Sequence, residues 1–277
     1  MMVIETQHFR IMARALADGL LICHEIRQKL ADDILIECLA ATQGEGLFKF
    51  QQNYAFGSPR PRREAYLSEG NDHSYRYSGK ILQSQQPPSS ISEFIREYCI
   101  RTNETSTNGG VLVNEYPGEA HAMMKYGTHS SVGAHSDDEH KVYLTNTIFS
   151  LSVGASRVFR YRRLGKDTRG KSFPWDEIMT THGMLISMLP GFQEAFEHAI
   201  PKPLKRHGRL YDIERQNART TVRNTHRYRY NLTVRPECIP CVTAQRGACP
   251  RVRTKRGPND LPKHNKAPKK TKGLPLI

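Results

Sequence analysis

Three side chains that lie far apart in the sequence have the chemistry of an iron site. His135 and Asp137 stand two residues apart, and His198 follows much later in the chain. Two imidazoles and one carboxylate form a facial set that holds Fe(II) and leaves its other positions open for a substrate, a keto acid and oxygen. The set indicates an oxygenase, although a single His-x-Asp is common by chance.

Strand geometry explains the spacing of these residues. If Val132 to Asp137 ends a β-strand, His135 and Asp137 point to the same side and can bind one ion from one edge. The third ligand must then come from another strand. The stretch Phe196 to Ile200 follows a buried strand and a Pro-Gly turn, so it can bring His198 back to the same place.

A pair of arginines indicates the second component of the site. Arg229 and Arg235 are six residues apart, so on a strand they face the same way, with Asn231 and Thr233 between them. Two buried guanidinium groups are costly unless anions meet them. A dicarboxylate such as 2-oxoglutarate offers each arginine a carboxylate for paired hydrogen bonds. The alternative is a solvated basic strand, because more arginines lie between residues 219 and 227.

Several motifs follow one another along the chain. They are Tyr75-Arg76-Tyr77-Ser78-Gly79, Asn114-Glu115-Tyr116, His135-Ser136-Asp137-Asp138-Glu139, the strand and turn from Ser150 to Arg157, the segment from Gly183 to Lys202 that includes Gln193, and RYNLTVR from Arg229 to Arg235. Together, from about Phe56 to Arg235, they resemble the AlkB family of Fe(II)- and 2-oxoglutarate-dependent dioxygenases. Because the motifs occur in the family's order, the combination is a specific signal.

The resemblance implies a role for each motif. It implies that the metal ligands are His135, Asp137 and His198. It implies that 2-oxoglutarate is bound by six residues, namely Asn114, Tyr116, Arg229, Asn231, Thr233 and Arg235. The cofactors are then Fe(II), 2-oxoglutarate and O2.

The resemblance also implies contacts with a nucleic acid. Tyr75 and Tyr77 would stack on an extruded base, and Glu139 would contact that base. Arg60, Arg62 and Arg63 would lie in a lid and contact phosphates. Phe56 is either a wedge in a base stack or an ordinary core residue.

Short strands separated by Gly, Pro and Asn turns predict a mainly β protein with flanking helices (α+β). Strands from Val111 to Arg235 fit a double-stranded β-helix, or jelly-roll, that can enclose a metal and a small acid. Apolar spacing between Gln7 and Ala41 predicts a long helix or a broken pair of helices. Leu47 to Tyr66 predicts strands around a basic turn, and Ile91 to Ile100 predicts a helix.

These elements divide the chain into three parts. Residues 1–45 form an N-terminal helical segment, and residues 46–236 form the dioxygenase domain. Within that domain a nucleotide-recognition lid covers about 46–85 and the jelly-roll core about 111–236. Residues 237–277 form a basic tail that contains cysteines and is expected to be disordered. The insertion 204–226 has no assigned role.

Composition is consistent with a polyanion-binding protein. The formal net charge is +14, and Arg251 to Ile277 contribute +8 of it, from nine Lys or Arg and one acid. No apolar stretch approaches the ~18 residues that a membrane span needs. The six scattered cysteines favour a reducing compartment. Cys238, Cys241 and Cys249 either bind zinc or stay free, because a fourth nearby ligand is missing.

The predicted function is oxidative demethylation of alkylated bases in DNA or RNA, in repair or RNA demethylation, by a monomer without a membrane association. The basic tail predicts a nuclear location, or otherwise a cytoplasmic one. Two alternatives stay open: a 2-oxoglutarate-dependent protein hydroxylase, and a catalytically silent nucleic-acid-binding module. The sequence does not distinguish DNA from RNA, single from double strands, or one alkylated base from another.

Overall fold

The computed structural model describes residues 2–6, 9–55, 58–69, 74–77, 80–100, 110–118, 125, 130–137, 146–202 and 228–235. Some predictions concern residues outside these ranges, namely Phe56, Glu139, the insertion 204–226, and Cys238, Cys241 and Cys249.

Within the described ranges, fifteen strands form one eleven-stranded and one four-stranded sheet. The strands are β1 (Met2–Thr6), β2 (Phe9–Leu16), β3 (Leu21–Glu25), β4 (Gln51–Ala55), β5 (Ser58–Leu67), β6 (Ser74–Tyr77), β7 (Lys80–Gln85), β8 (Val111–Pro117), β9 (Val132–His135), β10 (Ile148–Gly154), β11 (Arg157–Arg163), β12 (Asp176–Thr180), β13 (Met184–Met188), β14 (Phe196–Ile200) and β15 (Tyr228–Val234). The helices are α1 (Gln28–Gln43), α2 (Ser89–Phe94) and α3 (Phe192–Ala195), with a 3-10 turn at Ala17–Gly19 and a π-helical segment at Ile95–Ile100.

The eight strands from β8 to β15 are divided equally between the two sheets, and the chain passes from one sheet to the other after every strand except β11, which is followed by β12 in the same sheet. In the larger sheet they run in the order β13-β10-β15-β8, and the smaller sheet has the order β12-β11-β14-β9. All these neighbours are antiparallel. This is the arrangement of a jelly-roll, so the predicted core is confirmed. The sequence patterns did not reveal β12, whose residues are mostly exposed or half-buried.

Apolar side chains fill the space on both sides of the larger sheet. Between the two sheets, Ile148 and Ile186 pack with Phe159 and Phe196. On the outer side, Ile34 and the other buried residues of α1 pack against strands of the larger sheet. The helix can do so because its buried residues recur every three to four positions. It ends at Gly44, which adopts the left-handed φ of 86° and donates its N–H to the last turn.

The predicted N-terminal helix is wrong for the first part of residues 1–45. Residues before Gln28 form β1, β2 and β3 instead, and only α1 is a regular helix. β3 pairs with β13, and Leu21 lies opposite Met188. The edge of β13 therefore gains a hydrogen-bonded neighbour. This pairing joins residues that are far apart in the sequence, so the local spacing of apolar residues could not predict it.

In residues 46–85, which are predicted to form a lid, the described residues include strands β4 to β7 at one end of the larger sheet. The predicted basic turn is wrong, because Ser58–Leu67 is one continuous strand and the chain reverses just before it, between Ala55 and Ser58. β5 pairs with β8 of the core. The predicted helix from Ile91 is present as α2 followed by the π-helical segment.

Of the helices in the described ranges, none is both long and apolar enough to cross a membrane.

Candidate metal and cosubstrate site

Three potential metal ligands meet at one end of the smaller sheet. His135 on β9 and His198 on β14 lie directly opposite each other in the strand pairing. Their rings are 4.3 Å apart between centroids. Each Nε2 lies 3.9 Å from a different carboxylate oxygen of Asp137. One ligand atom from each residue lies within 4.8 Å of the other two, so one ion can bind all three.

Asp137 reaches this point without belonging to the strand. β9 ends at His135, so the predicted strand from Val132 to Asp137 is two residues too long. The main-chain N–H of Asp137 donates to Gln193 Oε1 at 2.8 Å, and Ser136 Oγ donates to the carbonyl of Phe196 at 2.9 Å. These two bonds to the α3–β14 segment hold the carboxylate beside the imidazoles.

The protonation states of the cluster suit metal binding. Burial, and then the charge of His135, lower the pKa of His198 to about 3, although Asp137 opposes the change. Burial alone would raise the pKa of Asp137, but Arg235 and the two imidazoles outweigh it and hold that pKa below its ordinary value. At neutral pH, His198 is therefore neutral and Asp137 is ionised, as ligands must be.

Five of the residues predicted to bind 2-oxoglutarate line the side of the larger sheet that faces the smaller one. On β15 and β8, Arg229 lies opposite Tyr116 and Asn231 opposite Asn114. Residues paired in this way point to the same side. Thr233 Oγ1 donates to Asn231 Oδ1 at 3.1 Å. All five side chains are buried.

β10 adds two hydroxyl groups that sequence reasoning did not single out. Arg229 Nη2 donates to Ser152 Oγ at 2.9 Å, and Asn231 Nδ2 donates to Ser150 Oγ at 2.8 Å. Both serines lie opposite residues of the RYNLTVR strand. Their signal in the sequence was the alternation of serine with apolar residues in β10.

The two arginines occupy different places. Arg235 follows β15 and its Nη2 lies 2.6 Å from Asp137 Oδ1, so it contacts a metal ligand. Arg229 is 2% exposed, and its guanidinium carbon lies 5.0 Å from the ring centroid of Tyr116. Burial is the main cause that lowers the pKa of Arg229, to about 10, which leaves it cationic at neutral pH.

Two stacked aromatic side chains extend from Arg235, the arginine that contacts Asp137. The guanidinium carbon of Arg235 lies 5.5 Å from the ring centroid of Tyr75. Tyr75 stacks on Tyr66, with 5.3 Å between ring centroids. The sequence analysis did not identify Tyr66 as a site residue. It lies on β5, on the same face as Glu64, because residues two apart on a strand share a face. A Cβ added to Gly110 would lie 1.8 Å from the Tyr66 hydroxyl, so that contact requires glycine.

The other predicted substrate residues have different surroundings in the structure. Tyr77 lies on β6 opposite Lys80, but its side chain is outside the described part of the chain. Arg60 is exposed. Arg62 binds the buried carboxylate of Glu64 at 2.8 Å. Their contacts with a substrate stay predictions.

Arg63 does not share a face with Arg62. It pairs instead with the buried carboxylate of Glu115, at 2.5 and 2.6 Å, on the side of the larger sheet that packs against α1. Because of this pairing we no longer expect Arg63 to contact phosphates.

A comparison with protein families decides the classification. The family model described as "2OG-Fe(II) oxygenase superfamily" matches residues 19–235. The chain belongs to this superfamily. The 2OG-Fe(II) oxygenases use Fe(II), 2-oxoglutarate and O2, so the predicted cofactors are confirmed.

Curated relatives carry AlkB names. "DNA oxidative demethylase ALKBH2" of Mus musculus is 31% identical over 146 residues, which are 51% of this chain and 55% of the relative. "Alpha-ketoglutarate-dependent dioxygenase alkB homolog 3" of Mus musculus is 29% identical over 147 residues, 52% of this chain and 47% of the relative. The matches span about half the length of these relatives. Within the superfamily the chain is therefore AlkB-like, as predicted.

The solved structure called "The structure of OsALKBH1" has 18% sequence identity and a TM-score of 0.48, covering 81% of this chain and 100% of that one.

The side chains present fit both groups that a 2OG-Fe(II) oxygenase needs. The two-imidazole, one-carboxylate donor set is the one that non-haem Fe(II) takes. Nε and Nη1 of Arg229 are buried and have no hydrogen-bond partner in the described part of the chain. Buried donors of this kind are costly unless an acceptor meets them, and a carboxylate of 2-oxoglutarate would do so.

Proposed function

We propose that this protein is an Fe(II)- and 2-oxoglutarate-dependent demethylase of N-alkylated bases in DNA or RNA, which releases succinate, CO2 and formaldehyde. The observation that carries the proposal is the convergence of His135, Asp137 and His198. These residues supply three ligands, and such a ligand set leaves the other coordination positions of Fe(II) open. The name "DNA oxidative demethylase" of the ALKBH2 relatives supports the choice of a nucleic-acid substrate.

Fe(II) bound at this site would supply the oxidation with O2 and 2-oxoglutarate: the N-linked methyl group would be hydroxylated and would leave as formaldehyde, which restores the base. The protein binds and orients the reactants. His135, Asp137 and His198 hold the metal. Arg229, beside Tyr116, binds the distal carboxylate of 2-oxoglutarate through its unsatisfied donors.

Arg235 has a positioning task at the metal end of the cosubstrate. Its contact with Asp137 Oδ1 holds one carboxylate oxygen, which would leave the other oxygen available to bind the metal. The same guanidinium lies over the Tyr75 ring. Arg235 therefore connects the metal ligands to the aromatic residues that we expect to face the substrate.

The substrate base must leave its stack to reach the metal. A methyl group on the pairing face of a base is hidden within a duplex, and flipping is cheapest when the lesion already prevents pairing. Tyr75 stacks on Tyr66 and lies beside Arg235, which contacts the metal ligand Asp137. In the proposal, Tyr75 stacks on that base.

The experiment compares the wild type with Asp137→Ala. DNA and RNA oligomers that each carry one N-methylated base, and methylated peptides, are incubated with iron, ascorbate and 2-oxoglutarate, and products are identified by mass. We expect formaldehyde and the restored base from the wild type only, because Asp137→Ala lacks a metal ligand. Asp176→Ala, an exposed acid on β12, is the matched control and should retain activity.

Three outcomes would reject parts of this proposal. Turnover by Asp137→Ala would contradict the metal assignment. Formaldehyde from peptides but not from oligomers would favour the protein hydroxylase. An absence of succinate in every reaction, with oligomer binding intact, would favour a silent binding module.

The cell compartment and a role in DNA repair stay predictions. Their support is the basic run from Lys266 to Lys272, which resembles a nuclear address. Imaging of a fluorescent fusion, with and without that run, tests the compartment.

A further inference from the structure

The metal ligand His135 lies on a strand whose own side chains hold it weakly. β9 has only four residues, Val132–His135, and none of them is buried. In the described part of the chain it is also the last strand of the smaller sheet, so it pairs on one side only, with β14. A short edge strand without buried side chains gains little from apolar contacts. Other contacts must therefore hold His135 in place.

The pairing of β9 with β14 is irregular. His135 lies opposite His198, and Val132 lies opposite Ile200. Three steps along β9 thus match two steps along β14, which is a β-bulge with one extra residue in β9. A shift of β9 by one residue would turn His135 to the other face of the sheet, away from His198. The position of this ligand therefore depends on both ends of β9 being fixed.

Different contacts fix the two ends of β9. At its C-terminal end, Ser136 and Asp137 bond to the α3–β14 segment. At its N-terminal end the contact comes from Arg157, the first residue of β11. Arg157 Nη2 donates to the carbonyl of Ser130 at 2.9 Å and to the carbonyl of Pro201 at 3.0 Å. Since Ser130 precedes β9 and Pro201 follows β14, one guanidinium joins the two strands.

A side chain is needed at this place because the backbone ladder cannot continue. Pro201 has no N–H, so it cannot donate a hydrogen bond to the neighbouring strand. Ser130 is 0% exposed and Arg157 is 7% exposed, so water does not replace the missing donor. A buried carbonyl without a donor is costly, and a guanidinium can satisfy two carbonyls at once.

β11 also supports the second histidine. Phe159 lies two residues after Arg157, so both side chains are on the same face of β11. The Phe159 ring stacks on His198, with 5.4 Å between ring centroids. The main chain of Arg157 is held in turn, because Thr180 Oγ1 donates to its carbonyl at 2.8 Å. One strand therefore contacts the imidazole of His198 and the start of the strand that carries His135.

We propose that Arg157 is a positioning residue of the metal site: by joining the ends of β9 and β14, it keeps His135 opposite His198. Arg157 is not a ligand, and it acts on the metal through the two strands. This role rests on the metal ligands of the proposed function and does not depend on the substrate.

The test measures Mn(II) affinity by titration calorimetry in the wild type and in Arg157→Met. We expect Arg157→Met to bind Mn(II) about 10- to 100-fold more weakly, because groups that hold a metal ligand in place typically have an effect of this size. The sign of the change is informative. Removing a positive charge would by itself favour the binding of a metal cation. Weaker binding therefore reports a change in ligand position.

Arg27→Met is the matched control. Arg27 directly precedes α1, on the outer side of the larger sheet, and its guanidinium also joins two acceptors from another segment, Glu93 and Glu97. The variant removes the same charge, but its Mn(II) affinity should equal that of the wild type. Melting temperatures of all variants report whether they fold.

Bound Co(II) gives a spectroscopic readout, because its absorption depends on the coordination geometry. The spectrum should change in Arg157→Met and stay the same in Arg27→Met. Arg157→Lys keeps the charge and a donor, but a single ammonium group replaces the planar guanidinium. Its Mn(II) affinity should lie between those of the wild type and Arg157→Met. If Arg157→Met does not fold, Arg157→Lys takes its place in the comparison.

Several results would overturn this role of Arg157. They are an unchanged Mn(II) affinity or Co(II) spectrum in folded Arg157→Met, an unchanged affinity in Arg157→Lys when Arg157→Met does not fold, and an equal loss of affinity in Arg27→Met. The proposed function fails separately. If the wild type releases no formaldehyde from alkylated oligomers, yet Arg157→Met binds Mn(II) more weakly than the wild type, the role of Arg157 stands and the demethylase assignment is lost.

Discussion

At the scale of single residues, the two arginines of the RYNLTVR strand have different surroundings. Arg235 is engaged by a metal ligand, whereas Arg229 keeps two buried donors without a partner in the described part of the chain. The sequence predicted that both would bind the diacid in the same way. In the proposed function, Arg229 therefore binds the distal carboxylate of 2-oxoglutarate and Arg235 positions the metal end.

This difference gives a prediction for Arg229. Arg229→Met should raise the KM for 2-oxoglutarate about 30-fold or more, because losing one partner of a buried charge pair costs about 2 kcal/mol at least. The KM of Arg229→Lys for 2-oxoglutarate should lie between those of the wild type and Arg229→Met. Succinate formation at varied 2-oxoglutarate measures this, with Arg169→Met, a change at an exposed arginine, as the control. An unchanged KM would assign the carboxylate to other residues.

A second residue-scale prediction concerns Gln193, which is 3% exposed and accepts the main-chain N–H of Asp137. Gln193→Leu should weaken Mn(II) binding about 10- to 100-fold, because removing a hydrogen bond that holds a metal ligand in place typically has an effect of this size. Titration calorimetry measures the affinity. Gln51→Leu, at an exposed glutamine on β4, should have no effect. Equal affinities for both variants would show that Asp137 is held by other contacts.

At the scale of elements, β8 has a different polar residue on each side. Asn114 and Tyr116 face the cosubstrate region, and Glu115 faces α1. Thr42 of α1 donates to Glu115 and is bonded to the Tyr230 hydroxyl on β15. A shift of β8 by one residue would exchange its two faces, so this buried network helps to fix the register of the site.

The ion pair of Glu115 with Arg63 should therefore affect stability asymmetrically. Arg63→Leu leaves a carboxylate that is 1% exposed without its cation, and should cost about 3–5 kcal/mol. Glu115→Leu should cost less, because the Arg63 side chain is 25% exposed and reaches water. The double variant should recover part of the loss. Urea unfolding measures all three, and strictly additive losses would argue against the pair.

His182 gives the second element-scale prediction. It is 2% exposed, accepts the Gly154 N–H through Nδ1, and places Nε2 3.2 Å from Asp32 on α1. Burial lowers its pKa, although Asp32 opposes this. His182 therefore binds a proton near pH 6.5 in the unfolded chain but only at lower pH in the folded chain. The free energy of unfolding consequently falls as the pH drops below about 6.5.

His182→Gln keeps an acceptor and a donor but does not titrate. Between pH 7.5 and 5.5, its unfolding free energy should decline less than that of the wild type. The same decline in both proteins would show that other groups cause the pH dependence.

At the scale of the whole molecule, the site joins segments from distant parts of the chain. β9, β14 and α3 contribute to the metal end, together with Asp137 just after β9 and Arg235 just after β15. A ligand that binds only this assembled form stabilises the fold by mass action, about 2.7 kcal/mol at a hundred times its Kd.

Mn(II) with 2-oxoglutarate should therefore raise the melting temperature of the wild type, and a chelator should reverse the shift. Asp137→Ala should show no such shift, whereas Asp176→Ala should behave like the wild type. Differential scanning fluorimetry measures the midpoint. An equal shift in Asp137→Ala would place the metal elsewhere.

The sequence alone determined the chemistry and most of the core. The ligand types and their spacing predicted an iron site, and the short strands separated by Gly, Pro and Asn turns from β8 onwards predicted the jelly-roll. Both depend on local features: a metal needs certain donor atoms, and turn residues mark where short strands end.

Only the tertiary structure decided which residues meet. The apolar spacing before Gln28 fits a helix, but pairing of β3 with the edge of β13 makes it a strand. Arg62 and Arg63 are adjacent in sequence, yet they pair with carboxylates on opposite faces of the larger sheet. Contacts such as that of Asp137 with Gln193 depend on packing between distant parts of the chain. The positions of residues in the sequence do not reveal these distances in space.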